Sequence, residues 1–276
     1  ISLVLSMIIY IFIAMFSGMV MQSVIEEKSS RVVEVLVSSV KAVELMFGKI
    51  IGVACVALTQ FFLWVVLTVV LVVGLSSFIG FDALTQTATM QTEQMTQMTE
   101  GLGVSPEMMD AAGMNMQVSV PSGDSELAAV ISTLKDINYP LILISFIVYF
   151  VLGYLLYASL FAAIGSAVEN EADTQQLQMP VTIPLLLAFF IAFYAFKSPD
   201  SQVVFWGSMI PFTSPIVMLA RIPFGVPAWE IGLSIVLLVL TFLIMAYLSA
   251  KIYKIGILMF GKKTSFKDLY KWLKQK

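Results

Sequence analysis

No histidine occurs in the 276 residues, and cysteine occurs once, at Cys55. The missing imidazole removes Ser–His nucleophilic catalysis and HExxH zinc chemistry from this chain. One cysteine closes no disulfide within the chain. Cys55 sits inside an apolar run and reads as a small core residue. Charge is scarce as well: 12% of residues are Asp, Glu, Lys or Arg, whereas 59% are hydrophobic. An aqueous fold of this size has no interior large enough for so much apolar surface, but a bilayer accommodates it. The short alternating segments of spanning β-strands are also missing. An intramembrane aspartyl site would need two aspartates facing inward, and the aspartates here fall in the connections and the tail.

What is present is a series of long apolar blocks. Five of them predict spanning helices, at about 1–25, 50–79, 139–168, 179–196 and 229–252. Each is near or above the roughly 20 residues a helix needs to cross. The fold expected is all-α and polytopic. A sixth apolar stretch, Val203–Ala220, is broken by Pro211 and Pro215. It predicts a re-entrant or interfacial helix pair within 197–228 rather than a span. Pro184 predicts a kink in the fourth span. Ala14/Gly18, Gly48/Gly52 and Ala158/Ala162 are small-xxx-small pairs that permit close helix approach. Gln60 reads as an interhelical hydrogen-bonding group. The chain opens on Ile1 inside an apolar run with no basic leader, so a signal peptide is not expected and further chain upstream is.

Lysine sets the expected orientation. Eight lysines lie between Lys251 and Lys276, opposed only by Asp268, which places the 253–276 tail in the cytoplasm. Counting back puts 26–49 inside, 80–138 outside, 169–178 inside and 197–228 outside. The 80–138 segment agrees, with Lys135 against eight acids, and 26–49 agrees through Lys28, Arg31, Lys41 and Lys49. The 169–178 turn has neither Lys nor Arg. The Met-, Gln- and Thr-rich 80–138 segment reads as a solvated extracytoplasmic loop. Its methionines lack the His or Cys partners of a soft-metal site.

Mechanism is carried by two segments. In the first, Glu26-Glu27-Lys28-Ser29-Ser30-Arg31-Val32-Val33-Glu34, the pairs Glu27–Arg31 and Arg31–Glu34 have helical spacing. Val33, Leu36, Val37 and Val40 fall near one face. Such a helix lies along the membrane surface, either with its charges facing a cytosolic partner or simply held by snorkelling side chains. In the second, two prolines free backbone groups that protein or water must satisfy, and Arg221 needs a counter-charge, for which Glu230 is available. This reads either as an outer gate or as an interfacial helix anchored by Arg221 and Trp229.

The first segment resembles the first cytoplasmic loop of ABC-2 type permeases of the sodium-exporter-like branch, through Glu26-Glu27-Lys28, Arg31, Glu34, Leu36 and Ser38. Gly165–Asp173 with Gln175-Gln176 and Pro180 resembles that family's second inside turn. Ile210-Pro211-Phe212-Thr213-Ser214-Pro215 with Met218, Arg221 and Trp229-Glu230 resembles its segment before the last span. The resemblance implies that 26–49 is the coupling helix, with Glu26, Glu27, Lys28, Arg31 and Glu34 meeting a cytosolic ATPase subunit. It places Pro211, Ser214, Pro215 and Arg221 at an outer gate. It implies a permease half that pairs with a second copy or a paralogue, and ATP and Mg bound by the partner ATPase. No cofactor or metal is expected on this chain, and no nucleic-acid partner. Family members have six spans and an outer domain after the first, so a first span and that domain are expected upstream of Ile1. The setting implied is the inner (plasma) membrane. Export follows from the family alone, and sodium from the branch name alone; a small amphipathic cargo is equally compatible.

Gly256-Ile257-Leu258-Met259-Phe260-Gly261-Lys262-Lys263 nearly spells a phosphate-binding loop, but Lys263 stands where Ser or Thr is required and no strand precedes it. Hydrolysis is therefore expected on another chain. A membrane scaffold with the same helices is the other class that fits. The basic tail is expected against anionic lipid, with Trp272 and Leu273 at the interface.

Overall fold

A computed structural model describes residues 2–30, 39–79, 139–168, 174–259 and 266–274. Five of its helices are long and apolar enough to cross a membrane. They are α1 (Ser2–Ser29), α2 (Ala42–Ile79), α3 (Tyr139–Ala167), α4 (Thr174–Lys197) and α7 (Ala228–Gly256). Between the last two lie the short helices α5 (Gln202–Met209) and α6 (Ser214–Arg221), and α8 (Phe266–Lys274) follows α7. No strand occurs among the described residues. The chain is an all-α polytopic membrane protein, the architecture in which each crossing segment satisfies its own backbone.

The helices outrun the apolar blocks. α1 continues to Ser29, α2 begins at Ala42, α4 begins at Thr174 and α7 ends at Gly256. Backbone hydrogen bonding does not stop where hydrocarbon stops, so a span carries polar turns at its ends. The 26–49 segment is thereby divided. Residues 26–29 complete α1 and 42–49 open α2, while 31–38, with Arg31 and Glu34, lie outside the described residues. The 80–138 segment lies outside them too.

Two compact units are distinguished: Ile1–Gln60 with Asn138–Lys276, and Phe61–Ile137. In the latter the described residues are the C-terminal half of α2, which exposes Phe62, Trp64 and Val70. In the former, α3 is central. Some 56% of its span is buried, against 33% for α1 and less for the others. It packs against α1 on one side and α7 on another. Phe146, Phe150 and Tyr154, four residues apart, stack along it at 6.2 and 6.4 Å, and Phe12 of α1 meets Phe150 edge-on at 5.9 Å.

Close approach is set by glycines other than those in the small-residue pairs. Gly18, Gly48 and Gly52 have open space where a Cβ would stand. A Cβ on Gly153 would lie 2.8 Å from both Ile13 Cδ1 and Pro215 Cβ, and one on Gly165 would lie 2.8 Å from Met21 O. Spacing alone does not say which face of a helix turns inward. Gln60 is half-buried. α4 runs helically through Pro180 and Pro184.

α8 docks on α7. Trp272 is buried against the protein instead of presenting its ring to lipid, and Leu273 lines an apolar cavity of about 210 Å³ with Leu160, Leu177, Leu248 and Leu269. Lys251 Nζ donates to Leu273 O. The apolar side of this helix finds a surface on the bundle itself, while Lys271 and Lys274 stay exposed.

Candidate functional site: two buried polar clusters

α7 carries a buried polar cluster near each end. Glu230 and Gly256 are about 39 Å apart along its axis at 1.5 Å per residue.

The first cluster grows from the broken segment between α4 and α7. Pro211 and Thr213 lie in the turn that separates α5 from α6. Pro215 occupies the first turn of α6, where a missing N–H costs nothing. Pro215 therefore starts a helix instead of breaking one. Thr213 Oγ1 donates to Gly207 O at 2.6 Å, tying the turn to α5. All eight residues of α6 are buried, because α1, α3, α4 and α5 surround it. Ser214 and Pro215 thus lie inside the bundle, and Pro211 is half-buried. After a 3-10 turn at Ile222–Phe224, Gly225 takes φ 87°, the left-handed conformation that glycine adopts without strain.

Arg221 ends α6 and is 6% exposed. Its Nη1 donates to Glu230 Oε2 and to Ser208 Oγ, each at 2.8 Å. The guanidinium also lies 5.7 Å from the centre of the Phe205 ring. Ser234 Oγ donates to Ser208 O at 2.9 Å, joining α7 to α5. The Arg221–Glu230 pairing anticipated from sequence is formed, but in the interior. Arg221 is not a headgroup anchor, whereas Trp229 is 62% exposed. A buried cation survives in a dry setting only when paired, and this one has an anion, a hydroxyl and a ring.

Tyrosines of α3 support the same region, and sequence reasoning did not single them out. Tyr157 OH donates to Phe212 O at 2.6 Å and Tyr149 OH to Ile231 O at 3.3 Å. Tyr154 OH reaches Ile50 O of α2 at 2.8 Å. The available signal was the phenols of Tyr149, Tyr154 and Tyr157 in the middle of a largely apolar span, each needing an acceptor.

The second cluster closes α1. Glu26 is exposed and Glu27 is half-buried. Ser29 Oγ donates to Glu26 O at 3.0 Å and Ser30 Oγ to Glu27 O at 3.2 Å, local bonds that compete with helix continuation. Lys49 Nζ lies 2.6 Å from Glu27 Oε2 and donates to Ser23 O at 3.0 Å, joining α2 to α1. Lys28 does not face outward with the glutamates. It is 1% exposed, and its Nζ donates to Ser166 O at 2.5 Å and Gly256 O at 2.7 Å. Its stem turns inward, where the last carbonyls of α3 and α7 have no partner within their own helices. Gly256 belongs to this contact rather than to a phosphate loop: a Cβ there would lie 2.9 Å from Ser166 Oγ.

Charged side chains buried among spanning helices are rare and mark candidate functional sites in membrane proteins. Residues 1–251 match the sequence model of the ABC-2 family transporter proteins, and the chain belongs to that family. It is similar to the uncharacterized protein YhaP of Bacillus subtilis (strain 168), 27% identical over 273 residues, which cover 95% of this chain and 52% of that protein. It is also similar to the uncharacterized protein MJ1024 of Methanocaldococcus jannaschii, 25% identical over 269 residues, covering 96% and 51%. The chain therefore spans about half the length of the curated relatives it matches. No solved structure matches it.

Proposed function

We propose that the chain is the membrane-embedded permease part of an ATP-driven exporter. A cytosolic ABC ATPase, holding the ATP and Mg, would act at the end of the bundle that carries Glu26 and Glu27. This chain would contribute no catalytic residue and no cofactor. The observation that carries the reading is that Glu27 and Lys28, the last charged residues of α1, are bonded to three other spans. A push on this end has a route into the bundle. Arg31 and Glu34 continue the docking surface in this reading. The Arg221–Glu230 cluster is the far gate, with the break at Pro211 and the first turn of α6 at Ser214 and Pro215 letting α6 shift against α3. Switching access requires two packings close in energy, and a segmented buried element supplies them. A second copy or a paralogue completes the pathway, and the surrounding lipid is that of the inner (plasma) membrane.

The test is co-purification of the full-length protein with the ABC ATPase encoded beside it, followed by hydrolysis assays with Glu27→Lys and Arg31→Glu. A stable complex is expected, in which the reversal cuts transport-linked hydrolysis at least tenfold without unfolding the membrane part. Absence of any ATPase from the purified protein would move the reading to a membrane scaffold.

Sidedness is part of the proposal: tail and coupling segment in the cytoplasm, 80–138 and 197–228 outside, as the lysine distribution directs. An impermeant thiol reagent added to intact cells should label Ser122→Cys and spare Lys267→Cys. Labelling of the tail position would reverse the topology.

A further inference from the structure

Lys28 has a geometry that contact with a soluble partner does not require. The last four carbonyls of an α-helix have no partner within it, and they carry the negative end of the helix dipole. Ser166 is the second-last residue of α3 and Gly256 the last of α7. Two such ends brought together repel one another. The Lys28 ammonium has three donors and spends two of them on one carbonyl from each end, at 2.5 and 2.7 Å. The approach is tight enough to require glycine at 256, since a Cβ would lie 3.0 Å from Ser166 O. Burying an ammonium is costly unless it is bonded in this way. A surface contact with an ATPase is available to any exposed lysine and explains none of this.

The preceding residue points elsewhere. Glu27 takes Lys49 of α2. Two consecutive residues at the end of α1 thus hold the ends of α2, α3 and α7. α4, the remaining span, meets α1 through packing.

We infer that Lys28 is a positioning residue that converts displacement of the end of α1 into a joint displacement of the ends of α3 and α7. The inference rests on the exporter reading for the source of that displacement. The clasp itself rests on the three helix ends alone. Charge-assisted hydrogen bonds are short and directional, so they transmit a shift that sliding apolar side chains would absorb.

The experiment uses the full-length protein with its ATPase in lipid nanodiscs. Spin labels are attached at Lys41→Cys and Leu258→Cys, exposed positions just before α2 and just after α7, in a Cys55→Ser background. With Lys28 present, Mg-ATP is expected to shift the distance between the labels. Lys28→Met is expected to abolish that shift while leaving ATPase association and basal hydrolysis within about twofold. Lys28→Arg, which keeps charge and donors, is expected to restore it. Gly256→Ala forces the ends of α3 and α7 apart and is expected to abolish it independently, so the test survives if Lys28→Met fails to fold. A full nucleotide-driven shift in Lys28→Met or in Gly256→Ala would overturn the inference. If no ATPase associates even with Lys28 present, the exporter reading falls and the transmission role falls with it. The clasp is then read without nucleotide: a broader, longer distance distribution in Lys28→Met supports it, and an unchanged one refutes it.

Discussion

Replacing Arg221 by methionine is expected to destabilise the membrane domain by about 3–5 kcal/mol, the usual consequence of stranding one member of a buried ion pair. Glu230 would be left 7% exposed with no cation, and Ser208 Oγ would lose its donor. Glu230→Met should cost a similar amount for the converse reason. The double replacement should recover most of the loss, because two apolar side chains of similar volume suit this interior. Thermal unfolding in detergent, with all three variants compared, measures the coupling directly. Single variants within about 1 kcal/mol of the parent, with no recovery in the double, would mean that the pair is wetter than its burial implies. The double variant is also informative about transport. If the pair acts as a gate, the restored fold should remain inactive.

Gly165→Leu is expected to prevent accumulation of folded protein, and Gly165→Ala to cost about 1–3 kcal/mol, the typical penalty for overpacking a tight contact. The atom in the way is Met21 O, a backbone oxygen 2.8 Å from the new Cβ. It cannot rotate aside as a side chain would, so α1 must move off α3 along the most extensive helix contact of the bundle. Gly18→Ala and Gly52→Ala are the controls. Both positions open onto free space, and neither should lower the melting temperature. A Gly165→Ala protein as stable as these controls would show that α1 and α3 pack loosely.

The contrast between these glycines shows how far the sequence could be read. Gly18, Gly48 and Gly52 belong to the recognisable small-residue spacings, whereas Gly153 and Gly165 do not pair that way in the expectation drawn from sequence. Spacing is a property of one helix, and close approach is a property of two. The ion pair was legible for the opposite reason. Arg221 and Glu230 are nine residues apart, and a cation in an apolar stretch demands a nearby anion. Lys28 was legible as a charge at a helix end but not as a clasp. Its acceptors are backbone carbonyls 138 and 228 residues away, which no residue type announces.

The amino-acid sequence by itself determined the number of spanning helices and their approximate places, because the length and apolarity of a segment decide whether it enters hydrocarbon before any tertiary contact forms. It also determined that the 197–228 stretch would be broken, because Pro211 has no N–H to donate wherever it is placed. Only the tertiary structure decided that α6 lies inside the bundle, that Pro215 starts a helix, that Lys28 faces inward and that Trp272 packs on the protein rather than the membrane. Each of these depends on which surfaces meet. Burial, pairing and desolvation are set by atoms far apart in the chain, and their free energies exist only once those atoms have been brought together.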